Sequence, residues 1–109
     1  MTVKELSIKT GLEAAVLPFP DKEIKGVYVG DLLSWVMGKC KEGDAWITIM
    51  SNVNVLAVAS LTDTSCVILS ENVTLDSALC EMAAEKGVNI LYSKKSSYET
   101  SLIINGALK

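Results

Sequence analysis

Residues 53–61, "VNVLAVASL", decide which fold the rest of the chain adopts. Val53, Val55, Ala57 and Ala59 alternate as in a strand, whereas Val55, Val58 and Ala59 with Leu61 or Thr62 line one side of a helix. Spacing alone leaves both readings open, and the flanks favour the helix. "AWITIM" at 45–50 and "CVIL" at 66–69 read as apolar strands rich in β-branched residues. Two such strands pair in parallel only when a crossover segment joins them, and residues 53–61 are the segment available.

Downstream the pattern is plainer. The unbroken apolar run 66–69 suits a strand buried on both faces. Thr74 is expected to cap the following helix, with Asp76 at its positive end and Leu75, Leu79, Met82 and Ala83 as its buried stripe. Lys86 in the last turn and Gly87 in the left-handed cap position end it. Val88 to Tyr92 form another strand, and Ser96-Ser97-Tyr98-Glu99 has capping-box spacing for a final helix that buries Tyr98, Leu102 and Ile103.

Upstream, Thr2-Val3-Lys4-Glu5 also has capping-box spacing, for a helix that buries Leu6 and stops at Gly11. Ala14 to Leu17 form a short strand, and Pro18-Phe19-Pro20-Asp21 imposes an extended loop because proline lacks an amide donor and restricts the residue before it. Lys25 to Val29 are the next strand. Gly30 then turns the chain, and Asp31 is read as the N-cap of a short helix carrying Leu32, Leu33, Val36 and Met37 before Gly38. The alternation β-α-β-α-β-α from residue 45 predicts a small, mainly parallel sheet with flanking helices, in two or three layers and in one domain spanning 1–109.

Composition narrows the function. The 109 residues are 50% hydrophobic and 21% charged, too apolar for disorder. With 10 basic against 13 acidic residues the net charge is -3, so the surface lacks the positive excess that binding to a phosphate backbone needs, and nucleic acid is not expected as a partner. Neither a secretory signal nor an apolar run long enough for a membrane span is evident, which predicts a cytoplasmic protein. Cys40, Cys66 and Cys80 have no CxxC spacing and no histidine accompanies them, which argues against a zinc site or a disulfide framework. Cys66 and Cys80 read as buried thiols; Cys40, between two lysines, is the one in a setting that could lower a thiol pKa. The absence of histidine removes the commonest general base near neutral pH.

Three segments resemble a known family: "VYVGDLLSWVMG" at 27–38, "EGDAWITIMSNVNVLAVASL" at 42–61 and "CVILSENVTLDSALCEMAAEKGVNIL" at 66–91. Together they make the chain similar to a stand-alone DRTGG-domain protein, related to the N-terminal, non-kinase domain of bacterial HPr kinase/phosphorylase. The resemblance implies a compact α/β module that contributes oligomerisation or regulation beside kinases, acetyltransferase-like proteins or regulatory pyrophosphatases, and it favours the helical reading of 53–61. It also implies a threonine-glycine-glycine turn after the strand 66–69, where this chain has Ser70-Glu71-Asn72. No GxxxxGK[ST] phosphate loop occurs, so kinase activity is not expected.

The candidate ligand-binding residues all follow strands. Gly30 and Asp31, with Ser34, edge the carboxyl end of one strand, where open α/β sheets place ligands. Ser51, Asn52 and Asn54 offer amides and side-chain polar groups to an anion at a helix start, and Ser70 occupies the corresponding end of the next strand. Each also has a plain structural reading as a cap or turn. Trp35, on a short amphipathic helix, is the candidate for a dimer contact, whereas Trp46 reads as core. No metal set, cofactor or catalytic constellation is expected. The function that follows is a non-catalytic regulatory or ligand-sensing and oligomerisation module, a homodimer that meets a regulatory protein partner or a small phosphorylated metabolite. The alternatives are a structural protein-interaction subunit without its own ligand, and a small enzyme using Asp31, Asp44 or Cys40.

Overall fold

The computed structural model describes residues 1–109, and residues 53–61 are helical within it. The elements run α1 (Val3–Thr10), β1 (Glu13–Val16), β2 (Gly26–Val29), α2 (Leu33–Lys39), β3 (Asp44–Thr48), α3 (Val53–Thr62), β4 (Cys66–Leu69), α4 (Ser77–Lys86), β5 (Ile90–Tyr92) and α5 (Ser97–Leu108). One five-stranded sheet has the order β1-β5-β4-β3-β2. β2, β3, β4 and β5 are parallel, and β1 closes the far edge antiparallel to β5.

The strands step across the sheet in one direction from β2 to β5, so three crossovers of the same hand place α2, α3 and α4 on the same face. Side-chain alternation along the central strands follows this division. Trp46, Val67, Leu69 and Ile90 pack with Val36, Val55, Leu56 and Ala83 from those helices. Ala45, Ile47, Cys66, Ile68 and Leu91 point the other way, against Val3 and Leu6 of α1 and Ile104 and Ala107 of α5. The result is a three-layer sandwich with a sheet buried on both sides at its centre.

Coverage is uneven at the β2 edge. No crossover helix lies on the α1/α5 face there, and Val27 and Val29, one period apart on that face, are 39% and 48% exposed. Ile49, just beyond β3, is exposed as well.

The caps explain several boundaries. Thr2 with Glu5 and Ser96 with Glu99 form the two expected capping boxes, and Gly11 and Gly87 sit in left-handed C-caps at φ 77° and 74°. Elsewhere expectation and structure part. Asp76, not Thr74, caps α4, accepting the Leu79 amide at 2.8 Å; Leu75 lies ahead of the helix, buried beside the Tyr92 hydroxyl. α2 starts without a side-chain cap and runs through Gly38 to Lys39. β1 and β3 end earlier than expected, at Val16 and Thr48, and β5 starts later, at Ile90. α5 turns Thr100, Ile104 and Ala107 inward, leaving Tyr98 and Leu102 exposed and Ile103 half-buried, because its inner face lies one step round from the most apolar stripe. No helix is long and apolar enough to cross a membrane.

Candidate functional site

The sheet has two ends, and their chemistry differs. At the carboxyl ends of the strands lie the residues that the sequence nominates. Gly30 donates its amide to the Ile47 carbonyl at 3.1 Å and accepts the indole N–H of the fully buried Trp46 at 2.8 Å. Asp31 does not cap α2. Its Oδ1 accepts the Thr48 hydroxyl at 2.8 Å and the Ile49 amide at 3.0 Å, which pins the β2–α2 loop to the end of β3. β3 stops at Thr48, so the Ile49 amide has no ladder partner and a carboxylate is the strong acceptor within reach.

Asn52 caps α3, its Oδ1 accepting the Asn54 amide at 3.0 Å. The Asn54 side chain is exposed and Ser51 is half-buried, and neither side chain is engaged within the chain. Ser70 is buried, with its hydroxyl 2.7 Å from that of Ser97. Thr48 links the two groups, because its carbonyl accepts the Ser70 amide at 3.1 Å. Gly30, Asp31 and Ser70 are thus joined by the end of β3, while Ser51 and Asn54 lie beside them as free polar groups.

The turn after β4 carries a further feature. Glu71 and Asn72 have φ values of 59° and 61°, left-handed conformations that glycine adopts without strain. Their amides are both used, Glu71 on the Lys95 carbonyl at 2.7 Å and Asn72 on the Ser93 carbonyl at 3.0 Å. Beyond the turn a polar cleft of about 530 Å³ is lined by Asn72, Thr74, Tyr92, Lys94, Lys95 and Glu13, among others.

At the amino ends of the strands the larger cleft opens, about 670 Å³, between the Pro18–Lys22 loop and the last turns of α3 and α4. Its prominent wall is Phe19, which is 57% exposed. Asn89, 1% exposed, fixes that loop: its Oδ1 accepts the Phe19 amide at 3.0 Å, and its Nδ2 donates to the carbonyls of Phe19 at 2.8 Å and Ser65 at 2.9 Å. Gly87 underlies the ring, since a β-carbon there would come within 2.5 Å of Phe19 Cε2. Lys22 is paired with Asp63 at 2.6 Å, whereas Asp21, Ser60 and Lys86 have side chains with no partner in the chain.

The groups that a small enzyme would use do not assemble into a reaction centre. Cys40 is buried beside Asp44, and burial first, with the neighbouring carboxylate second, pushes its thiol up to about 11. The two flanking lysines therefore do not make it a thiolate, because the charge that reaches the sulfur is negative. Complete burial pushes Cys66 up to about 12. Cys80 is half-buried rather than buried, its Sγ 3.7 Å from the Tyr92 hydroxyl. Asp31 lies at the opposite end of β3 from Asp44. No group of three or more Cys, Asp or Glu residues is placed to hold a metal ion. Trp46 is core, and Trp35 stands 59% exposed on α2 with the Lys39 ammonium 5.2 Å from its ring centre.

Comparison with known proteins agrees with this architecture. The family described as the DRTGG domain matches residues 7–107. No curated protein sequence matches the chain. Among solved structures, the CBS and DRTGG domains of the regulatory region of Clostridium perfringens pyrophosphatase, complexed with the activator diadenosine tetraphosphate, superpose with a TM-score of 0.75 at 18% identity. That match covers 97% of this chain and 46% of the pyrophosphatase chain, so this protein spans about half of that relative's length.

Proposed function

Because the chain belongs to the DRTGG-domain family, we propose that residues 1–109 form one non-catalytic regulatory module that self-associates and responds to a small ligand. The uncovered flank of the sheet carries the self-association part. Val27, Val29 and Ile49 are exposed along the β2 edge, and α5 turns Tyr98 and Leu102 outward at 73% and 52% exposure. Leu32 and Trp35 border the same edge at 63% and 59%. The five on β2 or in the segments that follow β2 and β3 are an interaction surface in character, and a two-fold axis beside β2 would cover them in pairs. Trp35 is the anchor assigned to that contact.

The ligand is placed at the carboxyl ends of the strands, where Gly30, Asp31, Ser51, Asn52, Asn54 and Ser70 are assigned to it. Ser51 and Asn54, with free side chains at the start of α3, make the direct contacts to a small phosphorylated metabolite. A shift of population between two packings transmits binding to a partner protein, with no covalent step. What supports regulation by a ligand is the fold shared with a pyrophosphatase regulatory region that takes an activator. The segment 27–38 supports a relation to the N-terminal domain of HPr kinase/phosphorylase. Three unpaired cysteines favour the cytoplasm.

Sedimentation velocity from micromolar to near-millimolar protein tests the association: a concentration-dependent dimer is expected, and Trp35→Ala and Val29→Asp should both shift it toward monomer. Monomer at every concentration removes that part of the proposal. A thermal-shift titration with sugar phosphates and nucleotides tests the ligand part, with a saturable rise expected and its loss in Ser51→Ala and Asn54→Ala.

A further inference from the structure

We propose that the cleft at the amino ends of the strands is a second binding site, and that it takes a neutral planar heterocycle of the nucleobase or nucleoside class, stacked on Phe19. The inference goes beyond the regulatory reading above, which places its ligand at the opposite end of the sheet.

The aromatic wall is held in advance of any ligand. Pro18 and Pro20 restrict the backbone on both sides of Phe19, and Asn89 takes both the amide and the carbonyl of that residue. A buried amide side chain, bonded also to Ser65, fixes the backbone of Phe19, while more than half of the residue's surface stays in water. An exposed aromatic face on a backbone already held in place is what stacking requires, because less ordering remains to oppose binding. The absence of a β-carbon at Gly87 leaves room for the ring to lie against the backbone, so the open side of the ring faces the cleft.

The polar groups select the ligand's charge. Asp21 and Asp63 are balanced by Lys22 and Lys86, and the Lys22–Asp63 pair is already closed. α3 and α4 both end at this cleft and add partial negative charge, which opposes a phosphate chain. The unpartnered carboxylate of Asp21, hydroxyl of Ser60 and ammonium of Lys86 offer both donors and acceptors to a heterocycle's edge. A volume of about 670 Å³ accommodates a nucleoside and lies in the usual range for small-molecule sites.

Isothermal titration of the full chain with adenosine, and separately with adenosine triphosphate and inorganic phosphate, tests the assignment. Saturable adenosine binding is expected, tighter than that of the triphosphate, weakened about tenfold or more by Phe19→Ala and kept within about threefold by Phe19→Tyr. Phe19 is exposed, and an unchanged unfolding transition in Phe19→Ala confirms that folding is not the cause. No adenosine binding at millimolar concentration overturns the site, as does binding that Phe19→Ala leaves unaltered or tighter binding of phosphate alone. A response to phosphates abolished in Ser51→Ala, without adenosine binding, overturns this site while leaving the carboxyl-end reading intact.

Discussion

The two ends of the sheet handle the same problem, terminating parallel strands, in opposite ways. At the carboxyl ends the chain closes on itself: Asp31 takes the Ile49 amide, Trp46 the Gly30 carbonyl and Ser97 the Ser70 hydroxyl. At the amino ends a buried asparagine ties a loop to the starts of β4 and β5, and the larger cleft lies beside that loop. Satisfied polar groups make the end of β3 rigid, whereas the loop that walls the larger cleft depends on one strut. How each end is shaped is therefore set by a few long-range hydrogen bonds as well as by the direction of the strands.

The strut offers the largest break in that contrast. Asn89→Ala orphans the Phe19 amide and the buried Ser65 carbonyl, leaves the Phe19 carbonyl only the Lys22 amide, and should cost about 3 kcal/mol in urea unfolding. A loss below about 1 kcal/mol would mean that the prolines alone hold the loop. Asp31→Ala removes two hydrogen bonds at a more exposed position and should cost about 1–2 kcal/mol. The same variant should leave adenosine titration at the Phe19 cleft unchanged, which sharpens the independence of the two ends.

An alkaline titration probes the amino end from inside, since β4 begins there with Cys66. Burial pushes its thiol up to about 12, above the ordinary thiol value of 9.0, so the folded protein holds the proton more tightly. The resulting stability is fully present below pH 9 and is lost as the pH rises toward 12. Between pH 9 and 10 the loss should be about 1 kcal/mol, and Cys66→Ala should remove that slope in urea titrations at successive pH values. The smallest expected effect lies at the carboxyl end. Glu71→Gly should raise stability by about 0.5 kcal/mol, because relief of the left-handed strain slightly exceeds the entropy that glycine adds to the unfolded chain.

Local signals in the sequence located most of the elements. Capping boxes at Thr2 and Ser96 and the glycines at 11 and 87 mark their helix ends through contacts spanning a few residues, and these appear in the structure. The helix at 53–61 needed a topological argument, and it held because a parallel β3–β4 pair cannot form without a crossover. Where the outcome depended on distant partners, the local pattern misled. Gly30-Asp31 ahead of an apolar helix looks like a cap, yet the carboxylate serves a strand 17 residues away. Tyr98 and Leu102 look like a helix core stripe, but the sheet faces Thr100 and Ile104. The Phe19 cleft was illegible for the same reason: Phe19 and Asn89 are 70 residues apart, and only the Pro-Phe-Pro spacing hinted at a fixed loop. The turn at Glu71 and Asn72 shows the converse, since both residues take a left-handed conformation where the resemblance implies glycines, which nothing in their own side chains signals.

The pairing of the first strand with the last has a consequence for folding. β1 completes the sheet only against β5, and Lys9 of α1 reaches the Ala107 carbonyl of α5 at 2.9 Å. Glu13 thus finds its cross-strand partner in Tyr92, far along the chain. Contacts of that sequence separation slow folding, and they leave the β5 edge unpaired until the two segments meet. Shortening α5 would remove Ile104 and Ala107 from the core they share with Val3 and Leu6, so the earliest helix would lose its cover.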